Sequence, residues 1–410
     1  MIENGLYSFG PFLLDSTERV LERDGQAVSL PPKDMEILVV LVERAGRIVG
    51  KEELLEKVWP GVFVEEGNLS RYIFNLRQAL GDGIDGQKYI ETVSKRGYRF
   101  MAPVASPANP LITREGSAPH SAIQPPPRQD IRFCMTHDRV RLAWSSVGSG
   151  YPLVKAANWL NHLDFEWQSP IWKHWIAQLA SHHRLIRYDT RGNGLSDWQV
   201  GEMSLELWVR DLEAVVDSAN IEKCALLGIS QGAAVAISYA VRHPERVSHL
   251  VIVGGYSRGY NLVFSPQQLE ALRAVETMVR LNWGKDLAGF SEMFAKMFVG
   301  DDSALEARRW LDDLQRVSTT PENAARVMEV CDDIDVRSLL GRVSVPTIVF
   351  HCDGDRVAAP EEGRILASEI PGAKFVPLPG ANHLLLENEL SWSIFIQELG
   401  AFLGWADTGS

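Results

Sequence analysis

The chain has 410 residues, 45% of them hydrophobic and 9% aromatic, with 12 tryptophans: too much apolar side chain for one ordinary core, and enough for two or three globular domains. No run of about 18 apolar residues occurs, and Met1-Ile2-Glu3-Asn4 opens no basic segment followed by an apolar one, so the reading is a cytoplasmic chain with neither membrane span nor signal peptide. A formal charge of −12 excludes a general polyanion binder and confines any nucleic-acid contact to a local surface.

Short alternating runs come first: Leu6-Tyr7-Ser8-Phe9, Phe12-Leu13-Leu14, then Val20-Leu21 and Val28-Ser29-Leu30 around the turn Asp24-Gly25. They predict a small antiparallel sheet. Lys33 to Arg44 spaces Met35, Leu38, Leu41 and Val42 as an amphipathic helix; a second helix runs from Lys51 to Trp59 and stops at Pro60; a third, Asn68 to Leu80, buries Leu69, Ile73, Leu76 and Leu80. Two strand-like runs follow, Tyr89 to Val93 and Tyr98 to Phe100, joined by the basic turn Ser94-Lys95-Arg96-Gly97. From residue 105 to 129, prolines among Ser, Ala and Asn read as a linker between a head, 1–104, and a body, 130–408.

Three helices followed by a hairpin with a basic tip are the parts of an α+β winged helix-turn-helix. The segment Asn68-Leu69-Ser70-Arg71-Tyr72-Ile73-Phe74-Asn75-Leu76-Arg77 and the ending Thr92-Val93-Ser94-Lys95-Arg96-Gly97-Tyr98-Arg99-Phe100 resemble the C-terminal DNA-binding domain of OmpR/PhoB-type regulators, in the domain-first order of the ToxR/CadC branch. Members usually carry a receiver domain in front or a membrane helix behind; with neither here, a signal is expected to enter through the body.

With the apolar face of the third helix inward, Ser70, Arg71, Phe74, Asn75 and Arg77 point outward. Arg71 and Asn75 share one face four residues apart; arginine can take guanine bidentately, asparagine adenine, and Phe74 a thymine methyl. Lys95 and Arg96 would reach a neighbouring groove or its phosphates. Six basic residues from Glu66 to Phe100 (Arg71, Arg77, Lys88, Lys95, Arg96, Arg99) stand against four acidic ones (Glu66, Asp82, Asp85, Glu91). That small surplus implies modest affinity per copy, hence a homodimer on repeated half-sites of double-stranded DNA. The alternative is a winged helix used for protein contacts.

In the body, strand-like runs Ile131 to Phe133, Val140 to Trp144, Pro152 to Ala157, Leu185 to Tyr188, Cys224 to Leu227, Leu250 to Val253 and Thr347 to Phe350 alternate with helical segments such as Leu205 to Ala219. The alternation predicts an α/β class with a mostly parallel, doubly wound sheet. Gly228-Ile229-Ser230-Gln231-Gly232 follows one of these strands and opens the small-residue helix Ala233-Ala234-Val235-Ala236, the context of a nucleophile elbow. A serine hydroxyl needs a base, and the base an orienting carboxylate. Asp355 and His383 follow later strands in that order, with Asp353 the competing carboxylate and His351 a base only on paper.

Residues 130–408 therefore resemble the α/β-hydrolase superfamily, which implies Ser230, Asp355 and His383 as a catalytic triad and the backbone N–H groups of Trp159 and Gln231 as the oxyanion hole. The turn Asp189 to Ser196 adds to the resemblance. Where the family commonly has His-Gly, this chain has Ala157-Asn158-Trp159. Residues 255–336, carrying Met278, Trp283, Met293, Met297 and Trp310, read as a helical cap. His162, His182 and His183 lack metal-ligand spacing, and Cys134, Cys224, Cys331 and Cys352, separated by 90, 107 and 21 residues, read as free thiols, so no metal or cofactor is expected. Together the parts point to a one-component transcriptional regulator that senses or hydrolyses a small apolar ester- or lactone-like ligand. A serine esterase with a DNA-binding appendage is the alternative.

Overall fold

The computed structural model describes residues 6–16, 19–23, 26–28, 30, 32–58, 66–81, 88–93, 97–104, 129–167, 169–285, 289–300 and 305–405. The chain divides into two compact units, 1–123 and 124–410. Most of the expected linker, 105–128, and the turn Asp24-Gly25 lie outside the described residues.

The first unit contains β1 (Leu6–Phe9), β2 (Phe12–Asp15), β3 (Val20–Arg23), β4 (Gln26–Val28), α1 (Pro32–Glu43), β5 (Ile48–Gly50), α2 (Lys51–Val58), α3 (Glu66–Leu80), β6 (Ile90–Val93) and β7 (Gly97–Phe100). Strands β1 to β4 form an antiparallel sheet in chain order, and β5-β7-β6 a second one. Alternation drives Phe12 and Leu14 inward, while the helical spacing does the same for Leu38 and Leu41 of α1 and for Leu69, Ile73, Leu76 and Leu80 of α3, all onto Phe9, Tyr89 and Phe100. Strand β5 is an addition to the sequence reading. Its three residues are too few for a periodic signal, and it exists because Val49 pairs with Tyr98.

The second unit runs β8 (Asp130–Met135), β9 (Arg141–Val147), β10 (Pro152–Ala156), α4 (Leu163–Glu166), α5 (Lys173–His182), β11 (Arg184–Tyr188), α6 (Leu205–Ser218), β12 (Cys224–Ile229), α7 (Gly232–Arg242) and β13 (Val247–Val253). Then come α8 (Tyr260–Val263), α9 (Pro266–Asn282), α10 (Phe290–Phe298), α11 (Leu305–Ser318), α12 (Pro321–Asp332), α13 (Arg337–Leu340), β14 (Thr347–Cys352), α14 (Pro360–Glu369), β15 (Lys374–Leu378) and α15 (Leu390–Leu403). The eight strands order as β15-β14-β13-β12-β10-β11-β9-β8; β9 pairs antiparallel with both β11 and β8, and the other neighbours pair parallel.

Successive residues of the central strands feed opposite faces: Leu226 and Ile252 pack with Leu212 and Ile237 of α6 and α7, while Leu227 and Val251 pack with Trp175 and Phe395 of α5 and α15. The carboxyl ends of the parallel strands therefore open toward helices α8 to α12, which are inserted between β13 and β14. Among the described residues, no helix is long and apolar enough to cross a membrane.

Candidate active site and DNA-binding domain

Ser230 sits where β12 turns into α7, with φ of +54°. A residue with a side chain occupies that left-handed region only when its surroundings hold it there. The flanking glycines supply the room: a Cβ on Gly228 would lie 2.6 Å from Ala233 Cα, and one on Gly232 would lie 3.1 Å from the carbonyl oxygens of both Ala156 and Ala157. The Ser230 N–H donates to the Val253 carbonyl at 3.0 Å, tying the turn to the neighbouring strand.

Two later loops bring Asp355 and His383 together. His383 Nδ1 lies 2.7 Å from Asp355 Oδ2, both side chains being almost wholly buried. Asp355 Oδ1 accepts from the backbone N–H groups of Val357 at 2.8 Å and Ala358 at 3.0 Å. Burial pushes the Asp355 carboxyl up, but the charge and hydrogen bond of His383, with the Ala358 N–H, outweigh it and hold the carboxyl below its usual range. His383 Nε2 is buried and, among the described residues, has no hydrogen-bond partner. Asp353 is exposed, while His351 packs its ring over Gly363 and places Nε2 3.0 Å from the Ala358 carbonyl, as a strand-end residue.

The loop after β10 carries Asn158 and Trp159. Among the described residues, the backbone N–H groups of Trp159 and Gln231 donate to no protein acceptor. Behind this loop lies a buried charged cluster: Lys155 Nζ donates to Asn158 Oδ1 and sits 4.7 Å from the Trp172 ring centroid, and Arg187 pairs with Glu166 at 2.7 Å. Burial drives the Lys155 ammonium down to about 8, against the opposing pull of Glu166, and drives the Asp189 carboxyl up to about 7. Asp189 accepts from the backbone N–H groups of Leu163 and Leu195 and leaves no room for a Cβ on Gly194, so the Asp189 to Ser196 turn is a structural brace.

Ser230 opens into an apolar pocket lined by Trp159, Tyr256, Tyr260, Phe294, Phe298 and Met328, with Gln231, Met297, Cys331, Asp332 and Val357 completing it. Trp159 stacks on Trp283 at 5.4 Å and meets Phe294 edge-on at 5.7 Å. The Phe298 carbonyl, at the end of α10, accepts from the His383 N–H at 3.0 Å. Of the five cap residues singled out in the sequence, Met297 lines the pocket and Trp283 supports it through Trp159; Met278 and Met293 are exposed, and Trp310 stacks on Phe165. The remaining pocket residues escape sequence reasoning because they come from four segments far apart in the chain.

In the first unit, α3 presents Phe74 and Asn75 half-buried, and Ser70 and Arg71 lie on the same helix with side chains outside the described residues. Arg77 differs from the sequence reading, which set it outward. Its guanidinium folds back onto β6, with Nη2 donating to the Ile90 carbonyl at 3.0 Å and to Thr92 Oγ1 at 2.8 Å. Lys95 and Arg96 lie outside the described residues.

Residues 165–390 match the family profile described as alpha/beta hydrolase fold, more than half of the chain. The chain belongs to the alpha/beta-hydrolase fold family. This hydrolase-fold chain is 26% identical over 260 residues to the AB hydrolase superfamily protein YisY of Bacillus subtilis, covering 61% of this chain and 91% of that one. The second unit superposes on an esterase from Exiguobacterium antarcticum with a TM-score of 0.58 at 19% identity, over 66% of this chain and 98% of the esterase, a likeness of fold. Residues 25–100 match the profile described as transcriptional regulatory protein, C terminal, so the hydrolase-fold unit is preceded by an OmpR/PhoB-type DNA-binding domain. The chain is 40% identical over 114 residues to the transcriptional regulator HilA of Salmonella typhi, covering 27% of this chain. The chain spans only a fifth, 20%, of HilA's length.

Proposed function

We propose that the chain is a one-component transcriptional regulator whose hydrolase-fold domain senses, and turns over, a small and largely apolar ester or lactone. The observation that carries the reading is a strained Ser230 lining the pocket, together with a buried Asp355–His383 pair whose Nε2 is unpartnered and two backbone N–H groups that donate to no described acceptor, on the same chain as a DNA-binding domain. In this mechanism Ser230 Oγ attacks the ligand carbonyl carbon and its proton passes to His383 Nε2. Asp355 holds the tautomer and stabilises the imidazolium; the N–H groups of Trp159 and Gln231 take the developing oxyanion. The tetrahedral intermediate collapses, breaking the ester C–O bond as His383 returns the proton to the departing alkoxide. Water, deprotonated by the same histidine, then hydrolyses the acyl-serine.

The small basic surplus at α3 and the wing implies weak binding per copy, so the regulator acts in the cytoplasm as a homodimer on repeated half-sites. Arg71, Phe74 and Asn75 of α3 read bases, Ser70 and the tip residues Lys95 and Arg96 meet the backbone, and Arg77 holds the recognition helix to the wing. A fluorophosphonate probe is expected to label the full chain, with labelling abolished in Ser230→Ala; an unlabelled wild type overturns the chemical reading. A serine esterase with an appended head is favoured instead if a reporter responds to no ester while hydrolysis proceeds.

The same mechanism assigns Lys155 a positioning role, since it holds the Asn158 side chain of the oxyanion loop. Lys155→Met is expected to lower kcat about ten- to a hundredfold with KM little changed, because a misplaced oxyanion donor costs the transition state more than the ground state. Steady-state kinetics on a p-nitrophenyl ester decide it, and an unchanged kcat removes Lys155 from the site.

A further inference from the structure

Tyr260, the first residue of α8, lines the same pocket as Ser230, yet its hydroxyl donates away from the cavity's ligand space, to the Val357 carbonyl. Gly259 sets it there. A Cβ on that residue would lie 2.2 Å from the Asp332 carbonyl oxygen, so only glycine lets the chain entering α8 pass the end of α12 so closely, and its N–H donates to the Ile334 carbonyl at 2.7 Å. The Tyr260 ring then stacks on Phe264 with centroids 4.4 Å apart, which holds the ring, and with it the hydroxyl oxygen, in place.

The Val357 carbonyl and the Ala358 N–H are the two ends of one peptide group. That N–H donates to Asp355 Oδ1 at 3.0 Å, and the other oxygen of the same carboxylate, Oδ2, lies 2.7 Å from His383 Nδ1. Donation to the carbonyl end of a peptide polarises it and strengthens the bond made by its N–H, and a planar peptide cannot turn one end without turning the other. A phenol, one peptide and a carboxylate thus form a continuous chain of hydrogen bonds from the pocket wall to the imidazole. His351 steadies the next carbonyl, that of Ala358, at 3.0 Å, so the turn is held at two successive peptides.

Building on the reading of Ser230, Asp355 and His383 as the reacting set, we propose that Tyr260 is a positioning residue: through the Val357–Ala358 peptide its hydroxyl fixes the Asp355 carboxylate against His383 and draws negative charge off it. Other ionisable groups face this chain of bonds. They are His351 from β14, with Nε2 3.7 Å from Asp355 Oδ2; Asp332 and Cys331 from α12 and Tyr256 from the loop after β13, beside Tyr260; Glu362 from α14, paired with Arg258; and the exposed Arg356 within the turn itself. Tyr260→Phe keeps every one of them, keeps the aromatic wall, and removes only the donor.

The test compares the full-length wild-type and Tyr260→Phe chains in two ways. In steady-state hydrolysis of a p-nitrophenyl ester, kcat is expected to fall about fivefold with KM changed by less than about twofold, the scale of one hydrogen bond lost in the transition state and not in ligand binding. The acid limb of kcat/KM should move up by about half a pH unit, because a carboxylate with less of its charge drawn off holds the His383 imidazolium more firmly. The second comparison reads the His383 titration directly, by heteronuclear NMR of the histidine rings, with the signal assigned by its loss in His383→Gln. The same upward shift is expected there, and no turnover is needed. A KM that rises while kcat stays put makes Tyr260 a ligand contact and overturns the inference. So does a lower Tm with kcat and acid limb unchanged, the mark of a merely structural tyrosine, or a His383 titration identical in the two chains. A wild-type chain that neither takes a fluorophosphonate nor hydrolyses the ester sinks the Ser230 reading, while the His383 titration still decides the role of Tyr260.

Discussion

Asp355→Asn is expected to lower ester hydrolysis about 10⁴-fold, the scale at which a triad fails when its histidine is held in the wrong tautomer. The asparagine amide would present a donor to His383 Nδ1 in place of the carboxylate acceptor now 2.7 Å away. The nitrogen left bare would then be Nδ1, and Nε2 would carry the proton it must accept from Ser230. KM should change little, because Asp355 lies behind His383 and is absent from the pocket lining. The same substitution has a signature in stability. The Asp355 carboxyl is depressed in the folded chain, so its contribution is complete above the unfolded value near 4 and is lost as pH falls through the lower folded value. The gap in Tm between wild type and Asp355→Asn, set at pH 7, should therefore narrow below about pH 4. A kcat within tenfold of wild type, or a gap in Tm that is flat across that range, contradicts the assigned role.

Gly97→Ala carries the second large effect, in the DNA-binding domain. Gly97 pairs with Val93 on β6 and with Gly50 on β5, at a φ of +141° that disfavours any side chain. A Cβ there would lie 2.0 Å from the Val49 carbonyl oxygen and 2.9 Å from Gly50 Cα. Those are backbone atoms, so relief requires β5 to leave the sheet or the hairpin to tilt away from α3. The expected cost is about 3 kcal/mol or more, from combined backbone strain and lost pairing. Titration of the full chain against a labelled duplex from its own upstream region should show affinity falling at least about tenfold, while fluorophosphonate labelling of Ser230 persists. Unchanged affinity together with an unchanged first unfolding transition contradicts the geometry assigned to Gly97.

The sequence carries the fold through its periodicities, because a buried strand or an amphipathic helix writes its face into its own residues. That is why α1, α3, β12 and β14 are legible to within a residue or two. The elbow is legible for a related reason: Gly228 and Gly232 flank Ser230 to make room for atoms only a few residues away. The order of Asp355 and His383 after later strands likewise anticipates their hydrogen bond. What escapes is whatever depends on partners distant in the chain. Arg77 looks outward on a helical wheel, yet the Ile90 carbonyl and Thr92 hydroxyl, thirteen and fifteen residues on, capture it. Nothing in the run Pro152 to Ala157 marks Lys155 as part of a charged cluster, because Glu166, Arg187 and Asp189 come from later segments.

The contacts between the inserted helices and the catalytic loops bear on how such a protein can diversify. Phe298 of α10 holds the His383 backbone, and Trp283 at the end of α9 stacks on Trp159 of the oxyanion loop. On the proposed mechanism, residues that line the pocket or stack behind it are thus also the mounts of the reacting groups. If the chain turns over a ligand as proposed, substitutions that retune which ligand fits are expected to move the rate of turnover at the same time, so affinity and reactivity would not be separate evolutionary variables in this scaffold. A lineage under pressure for a longer-lived signal could obtain it by repacking Phe298 or Trp283 while Ser230, Asp355 and His383 all stay in place.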